Sequence, residues 1–168
     1  MAERDPRSVM EIERKYLVSD APAGVATGPW TSLRQGYLAS GPGGEVRVRN
    51  AGGALTLTAK SGAGLVREER EISITQAQFD DLWPLTEGRR IEKRRAVLPA
   101  GELGYELDVF EGTLAGLVIA EVEFASLEQA QAFVAPSWFG REVTDDPRYT
   151  NASLALAGVP AVQSGDIQ

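Results

Sequence analysis

Charged and apolar residues alternate with a period of two in run after run of this chain, and no other sequence feature restricts its fold as much. In Glu11-Ile-Glu-Arg-Lys-Tyr16, residues Glu11, Glu13 and Lys15 fall on one side and Ile12 and Tyr16 on the other, because side chains alternate faces along a strand. Arg47 and Arg49 alternate in the same way with Val46 and Val48, and Thr56, Thr58 and Lys60 with Leu55, Leu57 and Ala59. Arg67, Glu69 and Glu71 share a face, as do Lys93 and Arg95. Glu106 and Asp108 oppose Leu107 and Val109, and Glu121 and Glu123 oppose Val122 and Phe124.

A sheet with one wet face and one dry face accounts for any single run. The signs of the charges argue against that for the set. They come as same-sign neighbours at i and i+2: Glu11/Glu13, Arg47/Arg49, Glu69/Glu71, Lys93/Arg95, Glu106/Asp108 and Glu121/Glu123. Such neighbours sit ~6.6 Å apart along a strand. Their repulsion is about 0.6 kcal/mol in water and about 2.5 kcal/mol at an effective dielectric of ~20. A solvated face mixes signs, as cross-strand pairing favours. Blocks of one sign make sense where counter-ions bind, with cations on the carboxylates and a polyanion on the Arg/Lys set.

The punctuation between the runs gives the order of elements. Strands are predicted over 9–19, 33–39, 45–50, 54–60, 65–74, 88–98, 103–110 and 117–124, separated by Gly- and Pro-rich turns. Thr75 with Gln78, and Ser126 with Gln129, have the form of a capping box. Each precedes an apolar helical stripe, Phe79, Leu82 and Trp83 in the first and Leu127, Ala130, Phe133 and Val134 in the second. Pro136 stops the second helix, and a third is predicted over 150–157. The expected fold is mainly β, an eight-stranded antiparallel barrel whose charged faces point inward and whose apolar faces are covered outside by helices. Residues 1–8 read as a disordered lead, 9–158 as a single domain and 159–168 as a tail.

Composition narrows the chemistry. The chain of 168 residues has no histidine and no cysteine, which removes imidazole and thiolate metal sites and the usual general base. A metal must then be held by oxygen ligands, which favours Mg²⁺ or Mn²⁺ over Zn²⁺. A net charge of −7 speaks against a general nucleic-acid binder and against attraction to acidic membranes. No apolar run approaches the length of a membrane span. Without cysteine or an export signal, the expected location is cytoplasmic.

These residues in this order resemble the CYTH family, also called triphosphate tunnel metalloenzymes. The Glu11-x-Glu13-x-Lys15 strand carries the signature. The likeness continues through Arg34-Gln-Gly-Tyr37-Leu, Val46-Arg47-Val-Arg49, Leu57-Thr-Ala-Lys60-Ser, Arg67-Glu-Glu69-Arg-Glu71-Ile, Lys93-Arg-Arg95, Glu106-Leu-Asp108-Val-Phe, Ala120-Glu121-Val-Glu123-Phe and the stretch from Trp138 to Asn151. It resembles most the compact bacterial members that hydrolyse inorganic triphosphate.

The resemblance implies a closed eight-stranded antiparallel barrel whose tunnel binds a triphosphate and a divalent metal. Carried over by position, Lys15, Arg47, Arg49, Lys60, Lys93 and Arg95 hold phosphates, as guanidinium and ammonium groups are suited to do. Glu11, Glu13, Asp108, Glu121 and Glu123 ligate Mg²⁺ or Mn²⁺. Glu69 and Glu71 position a second metal, the attacking water or the basic residues. Tyr37 and Lys93 match a proposed proton-transferring pair, while packing at a strand end is the other reading of Tyr37. Arg14, Arg89, Arg90 and Arg94 fall on the opposite parity or near strand ends and are expected at the surface. Thiamine triphosphate, ATP in a class IV adenylyl cyclase, and a non-catalytic polyphosphate- or nucleotide-binding role compete with inorganic triphosphate. No aromatic cluster for a base or thiazole is evident, which favours the bare phosphate chain. Compact relatives point to a homodimer.

Overall fold

The computed structural model describes residues 9–19, 29–61, 66–101 and 103–161. The predicted lead over 1–8, most of the loop holding Pro22, Gly24 and Gly28, the turn at 62–65 and the last residues of the tail lie outside them. Eight strands run β1 Val9–Leu17, β2 Trp30–Gly41, β3 Gly44–Ala51, β4 Ala54–Ser61, β5 Val66–Ser73, β6 Arg90–Ala100, β7 Leu103–Phe110 and β8 Val118–Glu123. They close into an antiparallel barrel in the order β1-β5-β4-β3-β2-β6-β7-β8. Eight strands leave an interior wide enough for side chains or one small ligand.

Several boundaries differ from the prediction for local reasons. β2 is twelve residues long rather than short, because Trp30, Thr31 and Ser32 continue its pairing with β6. Pro99 belongs to β6 opposite Gly104 rather than to a turn. The β3–β4 connection is the two-residue hairpin at Gly52-Gly53, with φ of 58° and 100°. Positive φ at both central residues is the requirement of a type I′ turn.

The helices are short and do two different jobs. α1 (Gln76–Leu82) has the full capping box, with Thr75 and Gln78 each accepting from the other's backbone N–H. With the 3-10 turn Trp83–Thr86 it lies outside β2 and β6, where Arg90 donates to the Trp83 carbonyl and the Thr86 hydroxyl. α2 (Leu127–Ala132) has half of the expected box. Ser126 caps it, but Gln129 reaches back to the Ala125 N–H. Its stripe ends early, since Phe133 is the C-cap and Val134 is exposed. Phe133 and Phe139 pack with Tyr16, Leu107, Val122 and Phe124 on the outer face of β1, β7 and β8. Arg14, expected at the surface, ties this layer together by donating to the Ala130 and Phe133 carbonyls and to Glu142.

α3 (Asn151–Ala157) overturns the expectation that every helix packs outside. Leu154 and the neighbouring Tyr149 share a cluster with Ile91, Phe110 and Ile119. Those three lie on the inward parity of β6, β7 and β8, so α3 closes one end of the barrel. At that same end β5 pairs with β1 only as far as Ile12, and residues 140–144 follow the exposed edge beyond. Leu17 N–H donates to the Arg141 carbonyl, Val143 N–H to the Lys15 carbonyl, and Lys15 N–H to the Thr144 hydroxyl.

Gly36 lets the Trp83–Thr86 turn sit against β2: a Cβ there would lie 2.3 Å from Thr86 Oγ1. Gly36→Ala is expected to cost about 1–3 kcal/mol, in the range of overpacked sites. In urea this lowers the midpoint at unchanged slope, and an unchanged midpoint would show that the turn is free to move.

Candidate active site

The barrel order brings together charges that are far apart in sequence. β7, β8 and β1 are adjacent staves, which places Glu106, Asp108, Glu121, Glu123, Glu11 and Glu13 on one wall. β3, carrying Arg47 and Arg49, stands four strands from β8 in either direction and so faces it across the lumen. Two like-charge pairs are directly opposite in register, Glu13 with Glu123 and Glu106 with Glu121, an arrangement that destabilises a sheet.

A cavity of about 180 Å³ runs through this interior. Glu11, Glu13, Lys15, Arg47, Arg49, Lys60, Glu69, Lys93, Arg95, Glu121 and Glu123 line it as predicted. Gln35, Glu45, Arg67, Glu106 and Asn151 line it too. Strand parity was a signal for the first four, each two residues from a predicted inward residue on its strand; Asn151 lies on α3 and had none. Seven carboxylates therefore face seven cations among the described residues. Three predicted site residues stand outside this lining. Tyr37 and Asp108 are fully buried in the wall, and Glu71 sits near the end away from α3, accepting from Arg49 (2.9 Å) and Thr58 (2.8 Å).

Most cations are clasped by carboxylates. Lys15 pairs with Glu121 (2.6 Å) and Glu13 (3.1 Å), and Lys60 with Glu11 and Glu69 (both 2.7 Å). Arg67 bridges Glu11 and Glu13. Asp108 takes Lys93 (2.5 Å) on one oxygen and Arg95 on both, and Arg95 also reaches Glu121 and Glu106. Arg47 is the exception. It is buried, forms no ion pair among the described residues, and its Nε has no hydrogen-bond partner. The Nε atoms of Arg49 on the same strand and of Arg67 on β5, and the hydroxyl of Thr56 on the adjacent β4, are likewise buried without partners among the described residues. Unpaired buried donors are costly unless something accepts from them.

Local fields push the ionisable groups in different directions. Burial would lower the pKa of Lys15, but Glu121 and Glu13 outweigh it and raise the value. Burial also lowers that of Lys93, where Asp108 compensates only in part and Arg95 adds to the fall. Burial raises the Tyr37 phenol well above its ordinary value against the pull of Arg47, so it stays protonated at neutral pH. Glu121 is held well below the carboxylate range, because Lys15 and Arg95 overcome its burial. Glu123 is raised, by burial and then by Glu11, Glu13 and Glu121.

The expected Tyr37–Lys93 pair is not brought together by a hydrogen bond. The Tyr37 hydroxyl accepts from Gln35 Nε2 at 2.9 Å, and the Lys93 ammonium goes to Asp108. Backbone irregularity sets the position of Tyr37. The β2–β3 register shifts between Tyr37 and Ala39, and Arg89, expected at the surface, donates to the carbonyl of the bulged Leu38. Bulges of this kind re-aim side chains beside active sites.

As a metal centre, the acidic wall fits by chemistry. Its donors are all carboxylate oxygens, suited to a hard divalent cation, and Glu123 crowds against three other carboxylates. Among the described residues no three of them are already spaced around a metal, since Glu11, Glu13, Asp108 and Glu121 are occupied by Lys and Arg.

A closed eight-stranded barrel with an interior of opposed Arg/Lys and Glu/Asp staves defines a polyanion-binding tunnel protein. The chain belongs to the CYTH, or triphosphate tunnel metalloenzyme, family. It is 51% identical to an inorganic triphosphatase of Nitrosomonas europaea over 150 residues, 88% of this chain and 97% of that one. It is 40% identical to an inorganic triphosphatase of Acetivibrio thermocellus over 148 residues, 86% of this chain and 92% of that one. A crystal structure of an inorganic triphosphatase matches with a TM-score of 0.65 at 47% identity, covering 88% of this chain and 98% of that one. No family model matches the chain.

Glu123 gives a test of the crowded wall. A carboxylate whose pKa is raised on folding contributes stability only while protonated, and that contribution is lost as pH rises through the folded pKa. Glu123→Gln is therefore expected to raise the melting temperature at pH 7, with the gain shrinking as pH falls into the carboxylate range. A gain independent of pH, or a loss at pH 7, would show that the crowding is not electrostatic.

Proposed function

We propose that this protein is an inorganic triphosphatase, hydrolysing the terminal phosphoanhydride of tripolyphosphate to diphosphate and orthophosphate inside the tunnel. The observation that carries the reading is Arg47, a buried guanidinium that forms no ion pair among the described residues and whose Nε, like that of Arg49 on the same strand, has no hydrogen-bond partner among them. A string of phosphates supplies the missing acceptors, in the forked geometry that guanidinium groups match. The names of the two curated relatives agree with this substrate.

Arg47 and Arg49 on β3 hold the phosphate chain from one side, with Lys15, Lys60, Lys93 and Arg95 placed to take its remaining oxygens. As phosphates draw these cations away, Glu11, Glu13 and Glu121 are freed and, with Glu123, form the ligand set for Mg²⁺ or Mn²⁺. Such an ion neutralises charge on the phosphoryl oxygens. Asp108, sealed behind Lys93 and Arg95, serves better as their anchor than as a ligand. Water attacks the terminal phosphorus in line, the bond to the bridging oxygen breaks, and diphosphate leaves while the water loses its proton. Lys93, an ammonium whose pKa burial lowers, is the proton-transferring group: it gives a proton to the leaving diphosphate oxygen and recovers the one that the attacking water releases, while Tyr37 keeps its own proton and orients the neighbouring Arg47. Glu69 and Glu71 steady Lys60 and Arg49.

No helix among the described residues is long and apolar enough to cross a membrane. The net charge of −7 supports a small polyanion held locally rather than a nucleic acid. A homodimer, on the family resemblance alone, and a cytoplasmic location, on the cysteine-free composition, complete the proposal.

Orthophosphate release from tripolyphosphate, ATP and thiamine triphosphate, with Mg²⁺, Mn²⁺ or chelator, tests the reading. Tripolyphosphate is expected to exceed the others in kcat/KM by at least about tenfold, the scale of one lost specific contact, with no release in chelator. Absence of release from tripolyphosphate with either metal would overturn it, and cyclic AMP formed from ATP would assign a cyclase instead.

A further inference from the structure

Beside the deep cavity lies a second one of about 500 Å³, lined by the β2–β3 hairpin, the segment that leads into α3, and α3 itself. Glu13, Lys15, Glu45, Lys60 and Arg67 line both cavities, and this shared boundary is the neck. The three neck cations are engaged with carboxylates: Lys15 with Glu13 and Glu121, Lys60 with Glu11 and Glu69, and Arg67 with Glu11 and Glu13. Glu45 differs. It stands across from Lys60 on β4 yet forms no ion pair among the described residues, although Arg47 and Arg67 feel its charge.

Past the neck the lining changes character. The outer cavity adds Asp145, the hydroxyls of Ser40, Thr144, Thr150 and Ser153, and apolar surface such as Leu156, but no Lys or Arg of its own among the described residues. A phosphate chain extending outward would thus pass Glu45 at the neck, leave the cations there and next meet Asp145.

We propose that Glu45 sets the length of phosphate chain this protein accepts. Its carboxylate at the neck repels any phosphate beyond the third, so the deep cavity takes tripolyphosphate and rejects longer linear polyphosphates. The proposal rests on the tripolyphosphate reading above and adds to it a built-in repulsive element, the means by which binding sites exclude near relatives of their ligands. A like charge acts strongly there because the neighbouring Glu13, Lys15 and Lys60 are buried and so shielded from water. If Glu45 merely tempered the surrounding cations, its removal would favour chains of every length alike.

The test compares wild type, Glu45→Gln and the charge-retaining Glu45→Asp. Two readouts are used: kcat/KM for tripolyphosphate and tetrapolyphosphate with Mg²⁺, and the rise in melting temperature that each gives in chelator, which reports binding without turnover. Glu45→Gln is expected to raise the tetrapolyphosphate-to-tripolyphosphate ratio roughly tenfold or more, the order of one like-charge contact, while Glu45→Asp keeps the wild-type ratio. Tetrapolyphosphate should stabilise the Gln variant but not the wild type. A ratio unchanged in Glu45→Gln, or raised equally in Glu45→Asp, overturns the proposal while leaving the triphosphatase reading intact. Wild-type protein that neither binds nor cleaves tripolyphosphate overturns both.

Discussion

The structure turns on the electrostatic balance inside the barrel. A closed sheet with apolar packing outside must put its other face into the lumen, and here the cavity lining alone carries fourteen charged side chains, seven of each sign. Burying so many charges is tolerable only because most of them meet an opposite partner, Arg47, Glu45 and Glu123 being the ones with no ion pair among the described residues. Where the pairing is imperfect, the cost is visible in the raised pKa of Glu123 and in Arg47, which has no ion-pair partner. Both defects lie in the two walls that face each other across the tunnel. An anion placed between them satisfies Arg47, and a divalent cation satisfies Glu123. The misfit of the protein to itself is the fit to its ligands.

The packing around the barrel exists to hold those walls in register. α1 and the turn after it press on β2 through the space that Gly36 leaves open. The aromatic layer of Phe133 and Phe139 braces β1, β7 and β8 from behind. α3 closes one end with Leu154 and Tyr149 against Ile91, Phe110 and Ile119. Arg14 and Arg89 act from outside the lumen, one by joining α2 to the C-terminal segment and the other by holding the bulge beside Tyr37.

Much of this was legible in the residues, because strand parity is a strict rule. Once Glu11, Glu13 and Lys15 alternate with Ile12 and Tyr16, inward and outward faces follow, and most of the predicted site residues line the cavity. The arrangement of strands around the barrel was not legible. Nothing local in β1 says that its neighbours are β5 and β8, and that adjacency creates the acidic wall. α3 reads as an ordinary amphipathic segment, so its place across the barrel end rather than outside depended on tertiary packing. Asp108 shows the limit for single residues. Its parity is right, but its oxygens are taken by Lys93 and Arg95, a pairing set by cross-strand register. Glu45 was overlooked although its parity matches Arg47, because an isolated acid before a basic pair carries no pattern of its own.

If the tunnel is organised around a bound polyanion, Arg47 is kept at the expense of stability. Replacing a buried ion pair by apolar groups of similar size is often neutral or stabilising by about 1–4 kcal/mol, and removing Arg47, which forms no ion pair among the described residues, orphans no carboxylate. The most direct measurement is therefore the urea stability of Arg47→Met alongside the rise in melting temperature that tripolyphosphate produces. The account predicts a variant more stable than wild type without ligand and no longer stabilised by tripolyphosphate. A variant that is less stable, yet gains as much from tripolyphosphate as wild type does, would contradict it.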